Sequence, residues 1–311
     1  MISHTRNICI LAKEKMDKPL SFKKTRIAPT PSGYLHLGNV LSFAITAALA
    51  RKTGAKILLR IDDMDRGQQV NKLYVQDIFD TLNFLEIPWD EGPKSFLEFE
   101  REFSQIHRAD LYKSALEQLR DIGAVFTCAC PRTVTRQTEG GLYPGTCRNM
   151  HYALDGDARW RLNTEEKKKL LIHTWQSGKV KATLPIDMQD FIVRRKDGFP
   201  AYHLASILDD LYFGVDLVVR GEDLWPSTIA QLYLSSVLRK DAFNDIVFHH
   251  HPLLMETEER KLSKSFGATS VLYLRQQHKK PSDIYALIAV MLQLGYTPGT
   301  WEELTDNMFQ K

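Results

Sequence analysis

The sequence lacks the long apolar runs of a membrane protein. Its longest runs, VLSFAITAALA and ALIAVMLQLG, fall short of the ~20 apolar residues that span a bilayer, and they predict buried helices instead. The first 23 residues contain only a five-residue apolar run and no small-residue cleavage site, so no secretory signal is expected. We therefore expect a cytoplasmic protein that does not act at a membrane.

An excess of charge of one sign is also missing. The net charge at pH 7 is only +3, from 41 basic and 38 acidic residues, and a mixed surface of solvated charges gives the same sum. Basic residues do concentrate in residues 167–181 and between Arg260 and Lys280, but such a run is more often a solvated face than a binding site. The charge permits a nucleic-acid partner without arguing for one.

Strand-like and helix-like segments alternate in the first part of the chain. Residues 25–30 predict a strand, 38–54 a helix and 55–63 a buried strand, and apolar residues at helical spacing predict helices over 72–87 and 109–123. The sequence has no internal repeat and no low-complexity segment, and its composition is that of a globular protein of one large or two modest domains. This alternation predicts an α/β fold with a parallel sheet and crossover connections.

The alternation stops in the middle of the chain. From about residue 125 to 187, cysteines, glycines and basic residues crowd together, and we interpret this part as an insertion into the sheet. Residues 190–204 then predict a hairpin with Asp197 and Gly198 at its turn, and 215–223 predict a further strand followed by a helix. A split sheet is the result.

The segment APTPSGYLHLGN joins the first predicted strand to the first predicted helix. A helix N-terminus offers unpaired N–H donors and the positive end of the helix dipole, so a phosphate is stabilised there. Gly33 and Gly38 would let a ligand approach the backbone, and His36 would add a further donor. Alone, a proline-rich segment with one histidine is more often only a loop.

A second polar stretch, ERKLSKSFG, lies far downstream and contains Lys261 and Lys264. The two segments in this order resemble the paired signatures of class I aminoacyl-tRNA synthetases. LLRIDDMDR and DGFPAYHLASILDDLYFGVDLVVRGEDL add a resemblance to the glutamyl branch, which covers about residues 24–270. The resemblance implies a Rossmann-like parallel sheet split by an insertion, and activation of glutamate by ATP with Mg²⁺.

The same resemblance implies three groups of site residues. The residues expected to act in catalysis are His36, Lys261 and Lys264; those expected to bind ATP are His36, Gly38, Asn39 and Lys264; those expected to bind glutamate are Arg26, Ala28, Thr30, Asp62, Tyr202 and Arg220. Arginines suit the carboxylate oxygens because a guanidinium binds them bidentately. Asp62 stands where glutamyl enzymes usually have glutamate, and an ordinary ion pair at a strand end is the alternative for Arg26 and Asp62.

The insertion contains three of the four cysteines, Cys128, Cys130 and Cys147. In a cytosolic protein this spacing indicates zinc before it indicates a disulfide. The stretch resembles that of the glutamyl-queuosine tRNA(Asp) synthetases, a family of truncated paralogues, and this resemblance implies Tyr143 as the fourth ligand of a structural Zn²⁺. His151 is the conventional alternative ligand, and a cluster of free thiols also stays open.

The chain ends soon after the lysine stretch. We therefore expect an extension over 1–23, a catalytic domain over 24–270, a short helical segment over 271–311 and no anticodon-binding domain. The resemblance to the truncated paralogues implies transfer of glutamate to the queuosine base of tRNA(Asp), with the anticodon stem-loop as partner of a monomeric enzyme. Two alternatives are a truncated glutamyl-tRNA ligase that charges the tRNA 3′ end and a tRNA-binding paralogue without catalysis; retention of both lysines disfavours the second.

Overall fold

The computed structural model describes residues 9–10, 21–64, 70–131, 133, 142–154, 157–257, 260–261, 270–306 and 308–309. These residues form the following strands and α-helices. The strands are β1 (Cys9–Ile10), β2 (Lys24–Ile27), β3 (Lys56–Leu59), β4 (Val125–Cys128), β5 (Arg159–Leu162), β6 (Lys169–Thr174), β7 (Gly178–Thr183), β8 (Ile192–Arg194), β9 (Leu217–Gly221), β10 (Val247–His251), β11 (Met255–Thr257) and β12 (Arg260–Lys261). The α-helices are α1 (Leu37–Thr53), α2 (Lys72–Phe84), α3 (Phe96–Glu98), α4 (Ala109–Asp121), α5 (Tyr202–Tyr212), α6 (Trp225–Val237), α7 (Val271–Gln276), α8 (Pro281–Met291) and α9 (Trp301–Thr305).

The chain divides into two compact units, and each is built from separate stretches of sequence. The first unit comprises Met1–Asp17, Arg108–Gly214 and Leu224–His249, and the second comprises Lys18–His107, Val215–Asp223 and His250–Lys311. The insertion expected over about 125–187 falls within the first unit. Among the helices that the structure describes, none is long and apolar enough to cross a bilayer.

The second unit is organised around a parallel strand pair and a buried helix. β2 and β3 pair in parallel, with Arg26 opposite Leu58, and β3 reads as a continuous apolar run because it is covered on both faces. Helix α1 packs against β2, β3 and β9. It ends at Gly54, whose φ of 77° is the left-handed conformation that closes many helices. The predicted strand–helix–strand order is confirmed here.

The first unit is organised around strands from the middle of the chain. β4, β5 and β8 form an antiparallel sheet in that order, while β6 and β7 form a hairpin whose β6 strand pairs in parallel with β10. β1 pairs along the outer side of β7. The β6–β7 hairpin was not predicted from the sequence, because the outward-facing Leu171 interrupts the alternation of polar and apolar residues along β6.

The predicted hairpin over 190–204 is confirmed at its turn and wrong at its end. Arg195 N–H donates to the Phe199 carbonyl at 2.8 Å, and Gly198 has a φ of 87° that favours glycine. The Ala201 N–H still donates to the Val193 carbonyl at 2.8 Å, and α5 then begins at Tyr202. Residues 204–210 of this helix are all buried, and the predicted hairpin ended too late because it included the first three helical residues, 202–204.

A buried ion pair links α4 and α5 inside the first unit. The Arg108 Nε donates to Asp209 Oδ1 at 2.7 Å and its Nη2 to Oδ2 at 3.1 Å, while the Tyr112 hydroxyl donates to Oδ1 at 2.6 Å. The side chains of Arg108 and Asp209 are 6% and 0% exposed. The charges stay buried because each is paired and hydrogen-bonded.

Candidate active site

His36 caps the N-terminus of α1 in the second unit. Its Nδ1 accepts the Gly38 N–H at 3.1 Å, and the Asn39 Oδ1 accepts the His36 N–H at 3.1 Å, which forms a capping box. The accepting Nδ1 leaves the proton of the neutral ring on Nε2, so the ring presents a donor away from the helix. The first turn of this 17-residue helix contains no acidic residue. The positive end of its dipole is therefore available to an anion.

The structure explains why position 38 favours glycine, which the sequence alone did not reveal. A Cβ built at Gly38 would lie 3.0 Å from Cε1 and 3.1 Å from Nδ1 of His36. A side chain at this position would therefore crowd the imidazole and shift it by a few tenths of an ångström. At Gly33, by contrast, a Cβ would meet nothing within 4 Å.

The two predicted carboxylate-binding arginines lie on β2 and β9 of the second unit. Arg26 is 5% exposed and Arg220 is 4% exposed. Arg26 Nη1 donates to the Val219 carbonyl at 3.1 Å, so its guanidinium lies against β9 at the residue before Arg220. Ala28 and Thr30 are half-buried in the segment that follows β2. Positive charge is therefore concentrated beside the carboxyl end of β2.

Asp62 lies where the segment after β3 still pairs with the segment after β2. Its N–H donates to the Pro29 carbonyl at 3.0 Å. Its carboxylate accepts from Arg60, with Nε–Oδ1 at 2.8 Å and Nη2–Oδ2 at 3.2 Å. Asp62 thus takes part in an ion pair at a strand end, as the sequence analysis considered. The residue shown to pair with it is Arg60. A carboxylate has about four lone-pair sites, so this pairing leaves it able to accept from a substrate ammonium.

Asp77 of α2 holds the loop that precedes the helix cap. Its Oδ2 accepts the Leu35 N–H at 3.0 Å, and Arg275 of α7 lies 3.9 Å from its Oδ1. Val271 N–H donates to the Leu35 carbonyl at 2.8 Å, and Ser270 bridges to His36. Burial raises the pKa of the Asp77 carboxyl despite these partners. The helix entrance is thus tied both to α2 and to the segment that follows the lysine stretch.

The remaining predicted site residues are Tyr202, Lys261 and Lys264. Tyr202 is the first residue of α5 in the first unit, is half-buried and packs edge-on against His203. Lys261 ends β12, opposite Met255 of β11. Lys264 lies outside the residues that the structure describes.

The three cysteines of the first unit come together. The Sγ atoms of Cys128, Cys130 and Cys147 all lie within 4.8 Å of one another, and Cys130 and Cys147 are 3.4 Å apart, which is too long for a disulfide. Tetrahedral Zn²⁺ with Zn–S bonds of 2.3 Å separates its sulfurs by about 3.8 Å. This arrangement of thiols is compatible with zinc.

Tyr143 lies beside the cysteines. Its hydroxyl oxygen accepts the Cys147 N–H at 2.9 Å, its ring stacks on Phe126, and the Arg161 guanidinium lies 3.7 Å from the ring centroid. Burial raises the pKa of the Tyr143 phenol. His151 is exposed, and among the described residues it does not belong to the group of clustered ligand atoms.

The thiols differ in how readily they ionise. Burial, with a hydrogen bond to Cys147, raises the pKa of Cys130. Burial acts the same way on Cys147, but hydrogen bonds from Cys130 and from the Ala129 N–H outweigh it and lower the pKa of Cys147. A metal is bound by thiolates, so Cys147 is the first of these two to offer one.

Comparisons with known proteins identify the family. Residues 23–309 match the model of the class I tRNA synthetases (E and Q), catalytic domain. The Glutamyl-Q tRNA(Asp) synthetase of Pseudomonas aeruginosa (strain LESB58) is 37% identical over 243 residues, which cover 78% of this chain and 77% of that protein. The chain belongs to the class I tRNA synthetases.

More distant similarities extend over most of the chain. The Glutamate–tRNA ligase of Anaeromyxobacter sp. (strain Fw109-5) is 31% identical over 93% of this chain and 60% of its own length. The solved Glutamate-tRNA synthetase of Elizabethkingia anophelis superposes with a TM-score of 0.69 at 21% identity, over 91% of this chain and 65% of that one. The chain thus spans less than two thirds of these two proteins, and the second likeness shows the fold.

Class I synthetases are ligases that use ATP with Mg²⁺. Two buried residues near the helix entrance and the strand ends, Arg60 and Asp77, were not predicted from the sequence. Arg60 and Asp62 are two apart on extended chain, so their side chains share a face, and this spacing could have predicted the pair. Asp77 lies between buried Val75 and Ile78 on α2, where a carboxylate at a core position signals a specific partner.

Proposed function

We propose that this chain activates free glutamate with ATP and transfers it to the queuosine base of tRNA(Asp). The observation that carries the first half is the pair of buried arginines, Arg26 on β2 and Arg220 on β9, in the same unit as Asp62. The second half rests on the similarity to relatives named Glutamyl-Q tRNA(Asp) synthetase.

In the activation step, the α-carboxylate of glutamate attacks the α-phosphorus of ATP. An O–P bond forms, the bond between the α-phosphorus and the bridging oxygen breaks, and pyrophosphate leaves with that oxygen. Arg26 and Arg220 bind the carboxylate oxygens that do not react, and Asp62 binds the ammonium group. Glutamine would present N–H donors to guanidinium groups that only donate, so it is rejected.

The helix entrance and the lysine stretch serve ATP in this proposal. The α1 N-terminus with His36, Gly38 and Asn39 holds the phosphates, and Lys261 and Lys264 neutralise the charge that builds on the triphosphate. Ala28 and Thr30 line the backbone side of the glutamate pocket, and Tyr202 supplies a phenol to the substrate. Mg²⁺, when bound with ATP, would neutralise part of the negative charge of the phosphates.

The cysteine cluster serves structure in this proposal. Cys128, Cys130, Tyr143 and Cys147 would hold one Zn²⁺, which fixes an otherwise polar segment and has no open position for a catalytic water. Elemental analysis of protein purified without chelator should give one zinc per chain. Less zinc in a Tyr143→Phe variant would assign the fourth ligand, and undiminished zinc would exclude Tyr143.

Transfer completes the reaction. A hydroxyl of the queuosine ring attacks the carbonyl carbon of the glutamyl-adenylate, and AMP leaves, so an ester forms on the wobble base. The partner is the anticodon stem-loop of tRNA(Asp), and the enzyme acts as a monomer.

Pyrophosphate exchange tests the activation half of the proposal. The rate of ATP–pyrophosphate exchange is measured without tRNA, with glutamate, glutamine and aspartate side by side. We expect kcat/KM for glutamate to exceed that for glutamine at least ~10³-fold, because a buried N–H donor of glutamine without an acceptor would destabilise its complex. Equal or faster exchange with glutamine would overturn the glutamate assignment.

A second function is favoured by one comparison. The 31% identity to a Glutamate–tRNA ligase extends over 93% of the chain, which supports charging of the tRNA 3′ end as the alternative. The acceptor separates the two functions. A queuosine-containing anticodon stem-loop without any 3′ acceptor end should accept glutamate under the main proposal and should not under the alternative.

A further inference from the structure

The β6–β7 hairpin of the first unit has one apolar face and one basic face. Its register places Lys169 opposite Thr183, Leu171 opposite Lys181 and His173 opposite Lys179. Residues opposite each other in an antiparallel pair, and residues two apart along a strand, share a face. We call this set of six residues the hairpin face.

The reverse side of the same hairpin packs into the unit. Leu170, Ile172 and Val180 are 7%, 0% and 3% exposed. The alternation along both strands therefore fixes the orientation, since a one-residue slip would bury lysines and expose this apolar set. The hairpin face has to point away from the core.

The hairpin face is exposed and positively charged. Lys169, Lys179, Lys181 and Thr183 are exposed, and Leu171 is the single exposed large apolar side chain of this face, at 40%. In the described part of the chain, none of the three lysines forms an ion pair. The positive charge is thus not neutralised by its described neighbours.

His173 lies near charged groups of both signs, Lys179 and Asp245. Partial burial and then the positive charge of Lys179 lower the pKa of His173, while Asp245, on the segment before β10, acts in the opposite direction. Asp245 is the acidic group that acts on this end of the face, and the net effect is still a lowered pKa. Because burial is the larger cause of this shift, the positive charge of the hairpin face rests on its three exposed lysines, Lys169, Lys179 and Lys181.

We infer that the hairpin face binds backbone phosphates of a folded RNA. Lys179 and Lys181 are two residues apart on one strand, so their side chains leave the sheet about 6.6 Å apart, and Lys169 adds a third charge across the ladder. Lysines placed in this way neutralise successive phosphates and release counterions, without reading sequence. The inference rests on the proposed function, because it takes the tRNA as the occupant.

The composition of the face favours RNA over a membrane. Peripheral membrane binding needs a broad apolar surface to enter the acyl boundary, and the hairpin face offers only Leu171. Hydroxyl and ammonium groups at the other positions are typical phosphate donors. Three lysines of the basic run over 167–181, Lys169, Lys179 and Lys181, thus lie together on the hairpin face.

The test compares two charge-matched variants. One carries Lys169→Gln, Lys179→Gln and Lys181→Gln; the control carries Lys23→Gln, Lys113→Gln and Lys279→Gln, which removes three exposed lysines elsewhere. The dissociation constant for a tRNA(Asp) transcript is measured from low to high KCl. The hairpin variant should bind about tenfold or more weakly at low salt, with the slope of log K against log [KCl] reduced by about two to three. The control should stay within about twofold of wild type.

Several results would overturn the inference. One is an equal loss of RNA affinity in the hairpin and control variants. Another is an unchanged salt slope in the hairpin variant. A third is binding to phosphatidylserine vesicles that depends on the hairpin lysines while RNA binding is retained. Lysine-to-arginine changes at the same three positions should preserve binding, which separates a charge effect from misfolding. Pyrophosphate exchange with glutamate should be normal in every variant. Absent exchange in the wild type would reject the proposed function, while a loss of RNA affinity in the hairpin variant alone would still support the hairpin face.

Discussion

Each unit contains a buried arginine–aspartate pair with nearly the same geometry. In the first unit Arg108 contacts Asp209 at 2.7 and 3.1 Å, and in the second unit Arg60 contacts Asp62 at 2.8 and 3.2 Å. Both are bidentate, which is the strong arrangement for this pair of groups. Their surroundings differ.

The pair of the first unit is sealed. Asp209 is 0% exposed and also accepts from Tyr112, while Arg108 lies over the Phe213 ring at 5.0 Å. In the second unit the side chain of Asp62 keeps 9% exposure at the end of a strand. The same ion pair can thus hold two helices together in one place and, in our proposal, orient a substrate-binding carboxylate in another. The surroundings decide the role.

The largest expected effect comes from breaking the sealed pair. Arg108→Met should lower the free energy of unfolding by about 3–5 kcal/mol, because it leaves Asp209 charged and buried. Arg60→Met should cost less, about 1–3 kcal/mol, since water can reach the partly exposed Asp62. Urea unfolding of both variants measures the difference. An equal cost would remove the distinction drawn between the two pairs.

The next effect is on activity. Asp62→Asn preserves an acceptor for Arg60 but loses the charge that binds the substrate ammonium, so kcat/KM for glutamate in pyrophosphate exchange should fall about 10- to 100-fold. Asp110→Asn, the same change on the exposed surface of α4, is the control and should have no effect. Unaltered kinetics in the Asp62 variant would reduce its pair to a structural one.

A third buried carboxylate, Asp77, should give an intermediate effect. Asp77→Ala leaves the Leu35 N–H without its acceptor, which should cost about 1–3 kcal/mol of stability. Through the displaced His36 loop it should also raise KM for ATP in pyrophosphate exchange. Asp77→Asn keeps an oxygen for this N–H and should recover most of both losses. An unchanged KM for ATP in Asp77→Ala would show that the loop needs no such anchor.

The pH dependence of Asp77 has a defined sign. Its folded-state pKa is raised above the ordinary 3.8, so the unfolded chain loses its proton first as the pH rises. Wild type should therefore lose stability relative to Asp77→Asn between about pH 4 and the raised folded pKa. Urea unfolding at pH 4 and pH 7 checks this, and a difference that moves in favour of wild type would contradict the burial argument.

The smallest effect belongs to an exposed pair. Glu91 contacts Lys24 at 2.6 Å and Lys56 at 3.7 Å, and the hydrogen bond to Lys24 lowers the pKa of Glu91 below 4.5. A side chain that is 34% exposed is screened by water, so Glu91→Gln should cost only about 0.2–1 kcal/mol at pH 7. This contribution is present above pH 4.5 and should vanish as the pH falls through the lowered pKa. A cost as large as that of Arg108→Met would mean that burial does not set the scale.

Elements with strong local signals were predictable from the sequence. The helix predicted over 38–54 is α1 at Leu37–Thr53, and the helix predicted over 109–123 is α4 at Ala109–Asp121. A long apolar run closed by Gly54 predicts α1, and apolar residues at helical spacing predict α4. The position of His36 at the helix entrance follows from the same local signals.

Features that depend on distant partners were not predictable in the same way. The β6–β7 hairpin is defined by burial of only one face, and the Asp77 anchor joins residues that are 42 positions apart. In β6 the outward-facing Leu171 interrupts the alternation of polar and apolar residues, and the bond between Asp77 and Leu35 is a tertiary contact that a single sequence does not reveal. The roles proposed for Lys261 and Lys264 stay predictions, and the role proposed for Tyr143 is tested by the zinc analysis.

The most direct test of the account is glutamate transfer to RNA. Purified protein with ATP, Mg²⁺ and labelled glutamate is offered tRNA(Asp) that contains queuosine and the same tRNA that lacks it. We expect a stable ester only on the queuosine-containing tRNA, in an amount that matches the queuosine present, and still formed after removal of the terminal adenosine. Equal labelling of both tRNAs, lost with that adenosine, would contradict the account and establish charging of the 3′ end.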